Sequence, residues 1–332
     1  MPISINKSSI NFGTYSISLH PGGIEIDGKF KYGSYALTPP PPTPNAYGNV
    51  AGYVSGEVPI SSTIEKFPFA TDANATDVGN LTQARGTLAG HSSEVSGYTS
   101  AGYSPAFRDT IDKFPFAVDA NATDVGNLTQ ARNQLEGVSS PVSGYAAGGY
   151  APGQGAQNTI DKFPFATDAN ATDVGNLTSG KRNLNGNGQN SETNGYAAGG
   201  SSPTLLNTID KFPFASDANA TDAGDLTSAL FIAAGQSSDV SGYSSGGGNP
   251  GFVNIIQKWP FASNANATDV GDLLTVNRGA AGESSDVSGY VSGGSAPANS
   301  NVIQKFPFAS DANSTDVGDL TVAKTSRAGQ QV

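Results

Sequence analysis

Gly144-Tyr-Ala-Ala-Gly-Gly149, Thr159-Ile-Asp-Lys-Phe-Pro-Phe165 and Asp168-Ala-Asn-Ala-Thr-Asp-Val-Gly175, in that order, decide the fold, because the chain repeats them. Lys-Phe-Pro-Phe, or its Trp variant, starts at Lys66, Lys113, Lys162, Lys211, Lys258 and Lys305, in steps of 47, 49, 49, 47 and 47 residues. Gly-Tyr keeps the same beat at Gly52, Gly97, Gly144, Gly195, Gly242 and Gly289. A period of about 40–50 residues with strand-like content indicates a propeller or a solenoid.

Within one repeat, Gly144-Tyr begins a strand of small and larger residues, and the following Gly pair ends it and admits close backbone approach. Tyr150 to Asn158 differs in length and composition between repeats, as a surface loop does. Ile160, Lys162 and Pro164 then alternate with Asp161, Phe163 and Phe165, a period-2 strand with one aromatic face. Pro164 cannot donate to a ladder, so it belongs at a strand end or on an unpaired side. The Asp/Asn/Thr/Gly phrase reads as a turn, with Asn176-Leu-Thr178 beginning the outermost strand. A basic position follows at Arg85, Arg132, Lys181, Arg278 and Lys324, with Leu230 in the fourth repeat. A strand around Ala89-Gly90 and Ala281-Gly282 leads to the next Gly-Tyr. Each repeat thus predicts four short strands.

The ends of the repeat region predict closure. Lys324-Thr-Ser-Arg-Ala-Gly-Gln-Gln-Val332 matches the start of a further unit but lacks its Gly-Tyr, while Gly52-Tyr53 has no such strand before it. Residues 325–331 should therefore complete blade one and remove the exposed sheet edges. The expected fold is all-β: a six-bladed propeller over 47–332 with a small β segment at 1–37. In that segment Ile3, Ile5, Ile10, Phe12, Ile17, Leu19, Ile24, Ile26 and Phe30 alternate with polar neighbours, predicting three or four strands. It is too small for a core of its own. It either docks on a partner or packs back on the ring. Thr38-Pro-Pro-Pro-Pro-Thr-Pro44, within a linker at 38–46, reads as a stiff polyproline spacer.

The order strand, Gly-Gly, variable loop, aliphatic-x-Lys-Phe-x-Phe, Asp-rich turn, Leu, Arg, strand resembles the kelch-type repeat of β-propellers over residues 48–332. The chain departs from it at Val78, Val125, Val174, Ala223, Val270 and Val317, where kelch repeats carry Trp. The Gly pair is also replaced by Gly56-Glu57 and Ala101-Gly102 in the first two repeats. The near-identical blades are similar to repeats encoded in tailed phages of aquatic bacteria. That resemblance implies a non-catalytic virion structural protein, either a tail-fibre component that recognises the host or a capsid or tail decoration. It implies synthesis in the host cytoplasm and residence in the virion. Other virion proteins would be held through the N-terminal segment, and a host surface glycan or protein through the propeller loops. A homo-oligomer is compatible with this design. A cellular kelch-like scaffold or carbohydrate-binding module is the alternative.

Composition narrows the chemistry. The chain has no Cys and only His20 and His91, too few imidazoles and thiolates for a zinc or copper centre. No repeat breaks the pattern with the cluster that catalysis needs, so no catalytic, cofactor-binding or metal-ligating residue is expected. Asp72 to Gly79 and its copies share the alternating oxygens of a calcium loop but lack the Glu at position twelve. Asn74-Ala-Thr76 is a glycosylation sequon in the same turn. The net charge of −11 repels phosphate backbones and argues against nucleic acid. No apolar run reaches the roughly 18 residues of a membrane span, and Met1-Pro-Ile-Ser-Ile-Asn lacks the pattern of a secretory signal.

Overall fold

The Gly-Tyr and Lys-Phe-Pro-Phe phrases are two halves of one contact. Gly144 faces Phe163 across adjacent antiparallel strands, and a Cβ on Gly144 would stand 2.3 Å from that ring. Only glycine leaves room for it. Gly52, Gly97, Gly195 and Gly289 seat Phe67, Phe114, Phe212 and Phe306 in the same way, and Gly242 seats Trp259.

The computed structural model describes residues 9–12, 15–20, 23–26, 30–32, 48–184, 186–295 and 298–332. The chain divides into two compact units, Met1–Pro44 and Asn45–Val332. In the first, Ser9–Phe12, Tyr15–His20, Gly23–Ile26 and Phe30–Tyr32 form an antiparallel meander. The proline spacer lies outside the described residues.

The second unit is a six-bladed β-propeller. Outward from the axis, blade three comprises Glu136–Ser139, Ser143–Ala147, Thr159–Pro164 and Thr172–Asn176, each antiparallel to its neighbour. The glycines of the innermost strands crowd the axis: a Cβ on Gly137 would lie 2.2 Å from the Gly90 carbonyl, and one on Gly282 2.2 Å from that of Gly235. Blade four has two extra residues between Asn183 and Gly188 relative to Thr87 and Gly90. There Gly186–Asn187 pairs in parallel with Glu136–Gly137 of blade three.

Between blades, each Gly-Tyr tyrosine packs on the second aromatic of the next Lys-Phe-Pro-Phe. Tyr98 stacks on Phe165 at 4.7 Å, Tyr243 on Phe308 at 4.9 Å and Tyr290 on Phe69 at 4.6 Å between ring centroids. Such pairs contribute about 0.5–1.5 kcal/mol each beyond their buried area. Both faces of a blade are therefore packed. Ile160 and Asp161, neighbours that point opposite ways, are both fully buried, so the period-2 alternation does not separate a wet face from a dry one.

Closure occurs as expected. Ala328–Gln331 is the innermost strand of blade one, antiparallel to Ala51–Glu57. The Val332 carbonyl accepts from the amides of Val50 and Ala51 at 2.7 and 2.9 Å. A second closed circuit surrounds the axis where the crossovers enter the innermost strands. Thr87 donates to Ser326, Gln134 to Thr87, Leu184 to Gln134, Ile232 to Asn183, Gly279 to Ile232 and Ser326 to Gly279, all backbone bonds of 2.7–3.2 Å. The six circuit positions, Thr87, Gln134, Asn183, Ile232, Gly279 and Ser326, have φ between 55° and 67°. Left-handed backbone costs a non-glycine residue about 1–3 kcal/mol, and Ile232 is β-branched, the most unfavourable kind. The circuit holds them there.

Two sequence expectations need correction. The outermost strand is Thr172–Asn176, inside the Asp-rich phrase, and Leu177-Thr178 belongs to the crossover. Asp173 accepts from the Gly175 amide at 3.1 Å, and the register shifts opposite Ile160/Asp161. What reads as a turn is a bulged strand. The basic position in blade five falls at Asn277, not Arg278, because the repeat spacing from Arg85 through Leu230 places it there.

Deleting residues 325–332 removes a strand, the axial circuit and the buried Arg327. It should lower stability by more than about 3–5 kcal/mol, the usual cost of breaking a buried ion pair alone. Scanning calorimetry should show the melting temperature falling by about 10 °C or more. Removing Pro152–Gln154 from a surface loop should shift it by only a few degrees.

Candidate functional site

Most repeated polar side chains are spent on neighbouring blades. Asp112, fully buried, accepts from the Thr82 amide at 2.9 Å and hydroxyl at 2.6 Å, and pairs with Arg85 at 3.1 Å. Asp161 meets Thr129 and Arg132, and Asp210 meets Thr178 and Lys181, in the same way. In the next two interfaces both members are neutral: Leu230 stands with Gln257, and Asn277 with Gln304. There Gln257 accepts from Thr227, and Gln304 from the Leu274 amide. At the closing interface Glu65 accepts from Thr321 and pairs with Arg327, while Glu57 pairs with Arg327 and Lys324. Acid and base are present together or absent together, as the cost of an unpaired buried charge requires.

The Asp-x-Asn-x-Thr-Asp-x-Gly oxygens diverge. Asp72 pairs with Lys305 of the preceding blade at 3.3 Å, Asn74 accepts from the Asp319 amide at 3.0 Å, and Asp77 accepts from the Gly79 amide at 3.1 Å. The Asn bond recurs at all six interfaces. The Lys residues of Lys-Phe-Pro-Phe lie beside the tyrosines of their own blades and reach the next blade's Asp. Asp217 holds the Lys162 ammonium above its ordinary pKa. Lys211 meets Asn264 instead, at 3.4 Å.

His91 is buried, with Nδ1 3.2 Å from the Val138 carbonyl and Nε2 2.8 Å from the Ser100 hydroxyl. Burial lowers its pKa to about 4, so the ring is neutral and bridges two blades. Its repeat position elsewhere holds Val138, Gln189, Gln236, Glu283 and Gln330. The three glutamines donate to the next blade's Tyr243, Tyr290 and Tyr98 carbonyls at 3.0–3.2 Å. Glu283 instead accepts from Ser292 of its own blade at 2.8 Å, as Gln236 accepts from Ser245. Burial raises the Glu283 carboxyl to about 8, and its other oxygen, Oε1, is buried without a hydrogen-bond partner among the described residues. Burial does the same to Glu136.

The surface divides into two unlike faces. The hairpins between innermost and second strands end in one repeated pattern: Glu94-Val95, Pro141-Val142, Glu192-Thr193, Asp239-Val240 and Asp286-Val287. The opposite face carries the variable loops and the crossovers, and its side chains do not repeat. Loops of blades two, three and five fold as two-residue-strand hairpins, Tyr103–Ser104 with Ala106–Phe107, Tyr150–Ala151 with Gly155–Ala156, and Gly248–Asn249 with Gly251–Phe252. Tyr103, 40 % exposed, meets Phe107 edge-on at 5.4 Å, and Phe107 lies 5.9 Å from Tyr150. Arg182 sits over Tyr150 at 5.5 Å, and Arg278 over Phe252 at 4.3 Å and Phe231 at 5.8 Å. Arg108 donates to the Ser104 carbonyl at 2.9 Å. This aromatic and arginine arc is the candidate site.

Of these residues the sequence singles out only Arg278, and assigns it to the repeated basic position rather than to a site. Most lie in segments whose variability looks like loop filler. The available signal was a position one residue after the basic one, where Gly86, Asn133 and Thr325 give way to Arg182, Phe231 and Arg278. No family model matches the chain, and no curated protein matches it. Among the described residues no helix is long and apolar enough to cross a membrane.

Asp112→Ala should destabilise the fold by about 3–5 kcal/mol in urea titrations, by stranding Arg85. The double variant Arg85→Leu/Asp112→Gln, which copies Leu230 and Gln257, should recover most of that loss. For Glu283 the folded-state pKa lies above the unfolded one. Its stabilisation is therefore complete at acid pH below about 4.5 and is lost as pH rises towards 8. Glu283→Gln should melt like the parent near pH 4–5 and above it at pH 8–9; a gap that does not change with pH would rule out a protonated Glu283.

Proposed function

We propose that the chain is a non-catalytic binding protein of a phage virion, a kelch-like propeller displayed on the particle as a tail-fibre or decoration component. The observation that carries the binding role is the contrast between the two faces. Carboxylates, amides and lysines of the repeat are engaged in holding blades together, whereas the arc of Tyr103, Phe107, Tyr150, Arg182, Phe231, Phe252 and Arg278 varies from blade to blade. Variable side chains on loops over a rigid scaffold suit recognition of a changing target. Aromatic and arginine side chains are also the residues that dominate binding energetics.

The route of the chain supports display. Gly48 bridges to Ser285, at the hairpin end of blade six, so the chain joins the propeller on the face opposite the variable loops. The virion setting rests on the resemblance of the repeats to phage-encoded ones, and the N-terminal strands would supply the attachment to other virion proteins.

Gold-conjugated antibody against residues 48–332 should decorate particles in electron micrographs of a lysate containing the protein. Recovery of all the label in the soluble fraction, with unlabelled particles, would overturn the virion placement and favour a cellular scaffold or carbohydrate-binding module.

A further inference from the structure

We infer that the arc of the loop face from Tyr150 to Phe252 binds an anionic saccharide, an inference that rests on the loop face being the recognition surface. Arg108 donates to the Ser104 carbonyl, and the other five arginines of this protein fall into two sets. Arg85, Arg132 and Arg327 are buried and paired with Asp112, Asp161 and Glu65. Arg182 and Arg278 are half-buried, lie over aromatic rings, and make no ion pair among the described residues. A guanidinium stacked on a ring is held in one plane while its N–H groups remain free at its edge. That edge suits a two-oxygen anion.

The surrounding charge points the same way. Outside the buried pairs, the variable loops and crossovers carry Arg108, Arg182 and Arg278 against Asp109. The hairpins add Glu94, Glu192, Asp239 and Asp286, and the Asp-rich turns and outermost strands add further aspartates. A polyanion is thus repelled by the rest of the surface and admitted at this face. Arg182, Phe231 and Arg278 occupy one repeat position on successive crossovers, so cation, ring and cation follow one another round the axis. Gln134, at the adjoining position, carries an amide suited to sugar hydroxyls. The aromatic groups are small and separated by glycine-rich hairpins, matching a chain of sugar rings better than a flat protein surface. A nucleic acid would meet the net negative charge of the ring without a continuous basic track.

The test uses the full chain in biolayer interferometry against polygalacturonate, its methyl ester, dextran, dextran sulfate and a DNA duplex. Binding is expected to polygalacturonate or dextran sulfate, the two arms separating a carboxylated from a sulfated ligand. It should weaken several-fold between about 50 and 200 mM salt. The methyl ester and dextran should bind about tenfold more weakly. Arg182→Gln/Arg278→Gln should lose about tenfold in affinity with an unchanged melting temperature. Failure of both charged polymers to bind, equal binding of the neutral ones, equal or tighter binding of DNA, or full affinity in the double variant would each overturn the inference. Gold labelling of particles unaffected by Arg182→Gln/Arg278→Gln would leave display standing when the saccharide inference fails.

Discussion

The antiparallel pairing of Ala328–Gln331 with Ala51–Glu57 is the contact on which the other five interfaces depend. A blade buries both its faces against neighbours, so an open array would leave two blades half bare and two sheet edges unpaired. Joining the end of the propeller to its beginning supplies the sixth interface and completes the hydrogen-bonded circuit through Thr87, Gln134, Ile232, Gly279 and Ser326. Left-handed backbone at these positions becomes tolerable because each of these amides has a partner in the preceding blade.

Buried polarity between the blades follows one rule, applied locally. Arg85 with Asp112 and Leu230 with Gln257 are alternative solutions to one site. Each leaves no unpaired charge, and mixing them would. Glu283 follows the rule by a different route. It occupies a glutamine position and is kept neutral by burial, which makes the sixth interface answer to pH where its glutamine counterparts do not. His91, one of two histidines in the chain, serves the same position through its ring nitrogens.

The two faces divide the labour of the molecule. Uniform hairpins carry acidic and valine tips, and the chain joins the ring on that side at Gly48. The loop face concentrates what is particular to each blade, including both stacked arginines. The repeat sets the scaffold, and its departures from regularity set the chemistry. Arg278 illustrates the difference. Counted as a member of the repeat, it looks like another buried basic residue; one position further on, it is a loop-face cation over Phe252.

Six blades, four strands in each, closure by the C-terminal residues and an N-terminal β segment were all legible in the sequence. Periodicity, glycine placement and the unmatched ends are properties of chain order, and a near-identical unit must pack in a near-identical way. The bulged strand hidden in Thr172–Asn176, the shift from Arg278 to Asn277 and the pairing of Gly-Tyr with the rings of Lys-Phe-Pro-Phe emerged only in three dimensions. So did the arc from Tyr103 to Arg278. Its members lie up to 175 residues apart in the chain, and it is the curvature of the ring, set by packing between blades, that gathers them on one face.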